Sequence, residues 1–203
     1  MRKLLKTAGV ALVLILAAYA LMLMRDRYAL GKNIIRLHVV GETNSVEDQE
    51  IKLMVKDAIL DQLEQLLAEA KTKEESRLIL MNNLDTIQNT AQNALNQSGV
   101  FSDVRISLKK EAFPTRVYDT FTLPAGVYDS LRVVIGEGNG KNWWCVVFPS
   151  LCIPAVSEDV ESVAASSGFS NELSKTITKE EGYQVRFFFL DLMGKVENFF
   201  NGF

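Results

Sequence analysis

Apolar and polar positions alternate with two distinct periods along this chain, and the change of period divides it into helices and strands. Ile34-Ile35-Arg36-Leu37-His38-Val39-Val40 is a short β-branched run closed by Gly41, which predicts a strand. From Ser45 the period lengthens. Ile51, Met54, Val55, Ala58, Ile59, Leu63, Leu66, Leu67 and Ala70 recur at three- and four-residue steps and predict an amphipathic helix, with Lys52, Lys56, Asp57, Asp61 and Glu64 on its polar side. Ser45 with Asp48 gives this helix a capping-box pattern, and Thr72 with Glu75 opens a second one. That helix carries Ile79, Leu80, Leu84, Ile87, Ala91, Ala94 and Leu95 until Gly99 stops it.

Alternation by two then returns in Val104-Arg105-Ile106-Ser107-Leu108-Lys109, the pattern of a half-buried strand. Further strands are predicted over 115–122, 127–135 and 142–148, separated by Pro124-Ala125-Gly126 and by a turn carrying Gly136, Gly138 and Gly140. The expected class is α+β: one main domain over 34–154, with a mainly antiparallel sheet covered by two long amphipathic helices. Residues 155–203 read as a C-terminal extension that adds a strand over 183–190 and a short helix over 193–200.

The first 24 residues follow neither period. Arg2, Lys3 and Lys6 precede an uncharged apolar run from Thr7 to Met24, closed by Arg25 and Arg27, which is the layout of a secretory signal or signal anchor. Residues 25–33 read as a linker. Ala18-Tyr19-Ala20 offers a signal peptidase small residues, whereas a cut there leaves Leu21-Met22-Leu23-Met24 as an oily terminus, so removal and retention both stay open. The remainder is expected to be exported. Residues 1–24 hold three of the 22 basic residues and none of the 25 acidic ones, which leaves 19 against 25 and a net charge of −6. Nucleic acid is a poor partner for such a chain, and so are anionic lipids away from the anchor.

Both tryptophans and both cysteines lie between Trp143 and Cys152. In a strand, Trp143 and Trp144 point to opposite faces, so one ring can enter a core while the other faces outward. Cys145 and Cys152 are either small buried hydrophobes or a disulfide suited to an exported domain, worth about 2.5 kcal/mol on the chain-entropy model. They lack metal spacing, and a lone histidine, His38, excludes any multi-histidine metal site. A Cys145/His38 or Cys152/His38 nucleophile pair has no third group beside it in the sequence to orient it. The glycine turn also lacks the P-loop pattern: Ile135 stands where the loop needs a glycine, and Asn142 where it needs a hydroxyl. No cofactor, metal or small-molecule substrate is expected.

Phe113-Pro114-Thr115-Arg116-Val117-Tyr118, Leu123-Pro124-Ala125-Gly126-Val127-Tyr128, Gly136-Glu137-Gly138, Asn142-Trp143-Trp144-Cys145-Val146-Val147-Phe148-Pro149 and Leu151-Cys152 together resemble the stage II sporulation protein R family of endospore-forming Firmicutes. Ile35-Arg36-Leu37-His38-Val39, Glu47-Asp48-Gln49, Lys52 and Lys56-Asp57-Ala58 are similar to its N-terminal signature. The chain departs from the family at Gly41-Glu42-Thr43, where members carry Ala-Asn-Ser or a similar run. The resemblance implies a non-catalytic sporulation signal. It is exported from the forespore into the space between the two sporulation membranes, where it activates a membrane-embedded aspartic protease of the mother cell that processes pro-sigma-E. The docking surface then falls on Trp143, Trp144, Arg116, Tyr118 and Tyr128. Two other functions stay open: a secreted cysteine-dependent hydrolase and a non-catalytic envelope structural protein.

Overall fold

The computed structural model describes residues 2–118 and 121–150, together with Val196. Helix α1 (Arg2–Asn33) leads into strand β1 (Ile35–Val40), and helices α2 (Val46–Leu67), α3 (Lys73–Asn82) and α4 (Leu84–Gln97) follow. Strand β2 (Val104–Phe113) comes next, then a two-stranded ribbon of β3 (Arg116–Val117) and β4 (Thr122–Leu123), and finally β5 (Gly126–Ile135) and β6 (Asn142–Phe148). The class is α+β, as the periodicities predict. Residues 25–33 correct the linker expectation: they continue α1 without a break, and Leu30 is buried against the domain.

The sheet runs β2-β5-β1-β6. It is mixed: β1 pairs parallel with β5, while β2–β5 and β1–β6 are antiparallel, so the mainly antiparallel expectation holds for two of its three pairings. Strand β1 is central and buried along its whole length, although its side chains alternate, with Ile35, Leu37 and Val39 on one face and Arg36 and His38 on the other. The parallel partner cannot follow directly in sequence, and the three helices fill the return path.

Two long helices were expected, and three cover the sheet. The second stretch breaks at Asn83, which is at once the C-cap of α3 and the N-cap of α4. The caps otherwise fall where the sequence puts them. Ser45 accepts from the Asp48 amide, and Thr72 and Glu75 form a reciprocal capping box. Gly99 follows α4 with φ of 79°, a left-handed conformation that glycine adopts without strain.

Register divides the sheet cleanly. Leu37 and Val39 of β1 register with Leu131 and Val133 of β5, and Ile135 of β5 registers with Val104 of β2; with Ile35 they pack against Ile51, Val55, Ile59, Leu63, Leu80, Ile87 and Leu95 of the helices. The α2 stripe is narrower than the sequence predicts. Met54 is exposed, whereas Lys52, assigned to the polar side, is buried with its Nζ donating to Gln49 Oε1 at 2.6 Å and to the Lys141 carbonyl at 3.2 Å. The long lysine stem lies along the protein while its ammonium reaches two acceptors. Burial and the nearby Lys141 charge lower its pKa. Lys73 of α3 forms an ion pair with Asp129 of β5 and donates to the Gly31 carbonyl at 2.7 Å, tying the end of α1 to the helical layer.

Strands β5 and β6 flank β1, so the glycine turn between them is a crossover around the end of β1. Its amides are consumed by backbone carbonyls: Gly136 donates to Asp103, Asn139 to Glu42 and Gly140 to Gly41. A Cβ on Gly140 would collide with the carbonyls of Gly41 and Thr43. Gly140 is therefore required by close approach of two backbones, and Gly136 and Gly138 by left-handed φ values of 56° and 70°.

Among the described residues, no helix is long and apolar enough to cross a membrane. The apolar run expected to be a signal or anchor is helical, with Val10, Leu12, Val13, Leu14, Ile15, Leu16, Leu21 and Met22 exposed. The side chains of Leu23 and Met24, which complete that run, lie outside the described ones. The strand expected at 183–190 and the body of the helix expected at 193–200 also lie outside the described residues.

Candidate functional site

Among the described residues, the second face of the sheet has no helix packed across it and a different chemistry. Arg36 and His38 of β1 point to it, with Glu111 and Phe113 of β2, Tyr128, Ser130 and Arg132 of β5, and Asn142, Trp144 and Val146 of β6. The β3–β4 ribbon and the end of α1 close one end through Leu30, Ile34, Phe113, Phe121, Leu123, Tyr128 and Val146. The other end holds a polar network.

Glu111 organises that network. Its Oε1 lies 3.0 Å from His38 Nδ1 and accepts from Arg132 Nη1 at 2.5 Å, while Oε2 accepts from Ser130 Oγ at 2.9 Å. Burial alone would raise the Glu111 pKa. The His38 hydrogen bond and charge, joined by Ser130 and Arg132, outweigh it and hold the carboxyl below the usual carboxylate range. The second His38 nitrogen, Nε2, lies 2.9 Å from Asn142 Oδ1, so both edges of the imidazole are engaged. The orienting group that the sequence did not offer His38 is thus Glu111, but among the described residues no cysteine completes a triad. Cys145 registers with Leu37 and points to the helical face, whereas His38 points to the other, and Cys145 is itself in a disulfide. Cys152, the other cysteine of the sequence, lies outside the described residues.

The two tryptophans separate as the strand period requires. Trp143 packs partly against the helix-side core with Lys56 Nζ 5.2 Å from its ring centroid. Trp144 lies on the opposite face, stacked on His38 with centroids 5.5 Å apart and on its other flank under Arg116, whose Cζ is 3.6 Å from the ring centroid. Such guanidinium–indole contact is favourable in its own right and fixes both planes.

Arg36 lies behind this stack, fully buried at 0% exposure. Its Cζ is 4.1 Å from the Phe113 ring centroid and 5.3 Å from that of Tyr128, and its Nη2 donates to Tyr118 Oη at 2.8 Å. Tyr118 Oη in turn donates to the Trp144 carbonyl at 3.3 Å. Tyr128 is buried and donates from its hydroxyl to the Pro124 carbonyl at 2.8 Å. Of the residues singled out in sequence, Arg116, Tyr118, Tyr128 and Trp144 therefore gather around one buried arginine, and Trp143 lies across the sheet from them. Arg36 and Glu111 were the residues missed. Arg36 had a signal available, a charge inside an otherwise apolar strand.

Among the described residues no group of histidine, cysteine, aspartate and glutamate side chains is placed to hold a metal.

The family model for stage II sporulation protein R matches residues 31–158, which begins at the end of α1 and takes in every strand of the sheet. Stage II sporulation protein R of Bacillus subtilis (strain 168) is 28% identical over 176 residues, covering 77% of this chain and 78% of that protein. No solved structure matches. With the match covering more than half of its residues, the chain belongs to the stage II sporulation protein R family.

Proposed function

We propose that this protein is an exported sporulation signal that acts between the forespore and mother-cell membranes, activating a membrane-embedded aspartic protease that processes pro-sigma-E. Family membership across the whole sheet is the observation that carries the reading. The N-terminal helix fits an export role, with basic residues before an apolar run whose described side chains are exposed. It serves as a signal or as an anchor. Activity comes from docking, without turnover of a substrate. His38 has both nitrogens engaged and Cys145 lies bonded on the opposite face, so a cysteine hydrolase built on that pair has no assembled site.

A ligand activates an enzyme only by binding its active state more tightly, and about 3 kcal/mol of preference shifts such an equilibrium more than a hundredfold. The docking surface on this reading is the helix-free face around Trp144, Arg116 and Tyr118, because large rings and arginines carry most interface energy. Co-expressing protease, precursor and this chain tests the proposal. Processing should require the chain and fall with Trp144→Ala more than with Trp143→Ala, with folding checked by circular dichroism. Precursor cleavage at the same rate without the chain would refute the reading.

A further inference from the structure

The helix-free face concentrates positive charge in a chain whose net charge is −3. Arg36, Arg105, Lys109 and Arg132 project from its strands, and Arg116 lies over it from the ribbon. The strands supply one carboxylate on this face, Glu111, and it is already shared by His38, Ser130 and Arg132.

Two of these arginines are left without an anion. Arg36 is completely buried, yet its Nε and Nη1 have no hydrogen-bond partner, and the buried Nε of Arg116 has none either. No ion pair reaches either guanidinium among the described residues. Burial and the neighbouring charge of Arg36 both lower the Arg116 pKa, against a favourable effect of Tyr118. Aromatic faces offset part of the charge, but they accept none of the orphaned N–H groups in the guanidinium planes. A buried donor left unpaired is costly, so these unpaired guanidinium N–H groups are the strongest anion-seeking feature on this face.

We propose that Arg36 and Arg116, walled by Phe113, Tyr118, Tyr128 and Trp144, form a receptor for a carboxylate carried on a partner polypeptide. Guanidinium groups suit planar oxyanions, phosphate included, so the depth of the site decides the source. Arg36 is set back behind Tyr118, and Trp144 and Arg116 are half-buried. A headgroup layer meets protruding charges such as Arg105 and Lys109 first. An acidic side chain on a docked segment can reach inward. The inference deepens the docking role proposed above and rests on it for the partner's identity, whereas the anion chemistry stands on the two arginines.

The test uses the full chain in neutral detergent micelles, reading the Nε–H resonances of Arg36 and Arg116 during titration with an acetylated, amidated tetraglutamate peptide. Both resonances should shift saturably and less at high salt, and Arg116→Gln should abolish the response at Arg36. A shift produced by phosphatidylglycerol nanodiscs and not by the peptide overturns the polypeptide assignment. So does a resonance of Arg36 that moves in Asp119→Asn without any probe, because Asp119 neighbours Tyr118 in sequence and would then be the anion. In the processing assay, Arg116→Gln and the apolar Arg36→Met should each lower activity by about thirtyfold or more, as loss of one member of a buried charge pair does. Wild-type processing that both variants match, in folded protein, overturns the site. Peptide binding by a wild-type chain that drives no processing leaves the site standing and removes the protease-activation reading.

Discussion

The two faces of one four-stranded sheet obey different rules. On the helical face, the core side chains from β1, β5 and β2 are aliphatic and satisfied by packing alone, and the buried charged group there, Asp129, is paired by Lys73. On the other, Arg36 and His38 project from the same central strand into aromatic rings and a shared carboxylate, and several polar atoms are left without partners. Strand β1 supplies both surfaces from six consecutive residues. The difference teaches that burial alone does not identify a core. Leu37 and Arg36 are equally inaccessible, but only Leu37 is there for the hydrophobic effect.

If the helical face is the structural one, damage there should destabilise most and alter docking least. The largest loss is expected from Lys73→Ala, which leaves buried Asp129 with only the partly exposed Arg77, its Nε 3.9 Å away, as counter-charge and frees the Gly31 carbonyl. Unfolding in urea should show a fall of about 3–5 kcal/mol, the range for a buried pair broken from one side. Leu37→Ala should follow at about 3 kcal/mol, through lost apolar contact and a residual cavity. Any Leu37→Ala protein that remains folded should retain its response to acidic peptide. A response lost in step with stability would erase the distinction between the faces.

The same contrast decides what could be read in sequence. Wherever period, cap or turn chemistry is local, the reading survives: β1, the start of α2, the Thr72–Glu75 box, the end of α4 and the opposed tryptophans all lie where the residues put them. Strand order is set by contacts between distant segments, so neither the parallel β1–β5 pairing nor the crossover at Gly136–Gly140 is encoded in any window of sequence. The break at Asn83 was hidden because the apolar pattern continues through it from Leu80 to Leu84. Lys52 misleads for a physical reason, since a long amphipathic stem can be buried while its end finds acceptors. Glu111 sits in a charged run, Lys109-Lys110-Glu111, that reads as the frayed end of a strand. Only the extension of β2 to Phe113 turns it inward, opposite His38.

Glu111→Gln should have the next largest effect, about 2 kcal/mol, because charge-assisted bonds to Arg132 and His38 are weakened together. Its signature is a pH dependence. The native carboxyl titrates below its unfolded value, so the stability it contributes is fully present above the ordinary carboxylate pKa and is lost as pH falls through the depressed native one. Wild-type stability should therefore decline as the medium is acidified through the carboxylate range. Glu111→Gln should show a shallower decline over the same interval in urea titrations, and parallel curves would mean that Glu111 is not held ionised by this network.

The smallest change in stability belongs to the residue with the largest expected role in docking. Arg116 is half-buried on a ribbon of two residues per strand, carries no ion pair among the described residues, and touches Trp144 through its guanidinium plane. Replacing it by glutamine removes one cation–π contact but also removes a charge that Arg36 repels and that burial disfavours. These effects oppose one another. Arg116→Gln is therefore expected to unfold within about 0.5 kcal/mol of wild type, in the range of ordinary surface substitutions. Lysine at the same position keeps the charge but loses the planar fork, so Arg116→Lys should match that stability while recovering only part of the acidic-peptide response. Equal response from lysine and arginine would reduce the face to diffuse electrostatics. Stability that falls in Arg116→Gln as far as in Leu37→Ala would make the guanidinium a structural member of the fold, and the two faces would then differ in composition without differing in role.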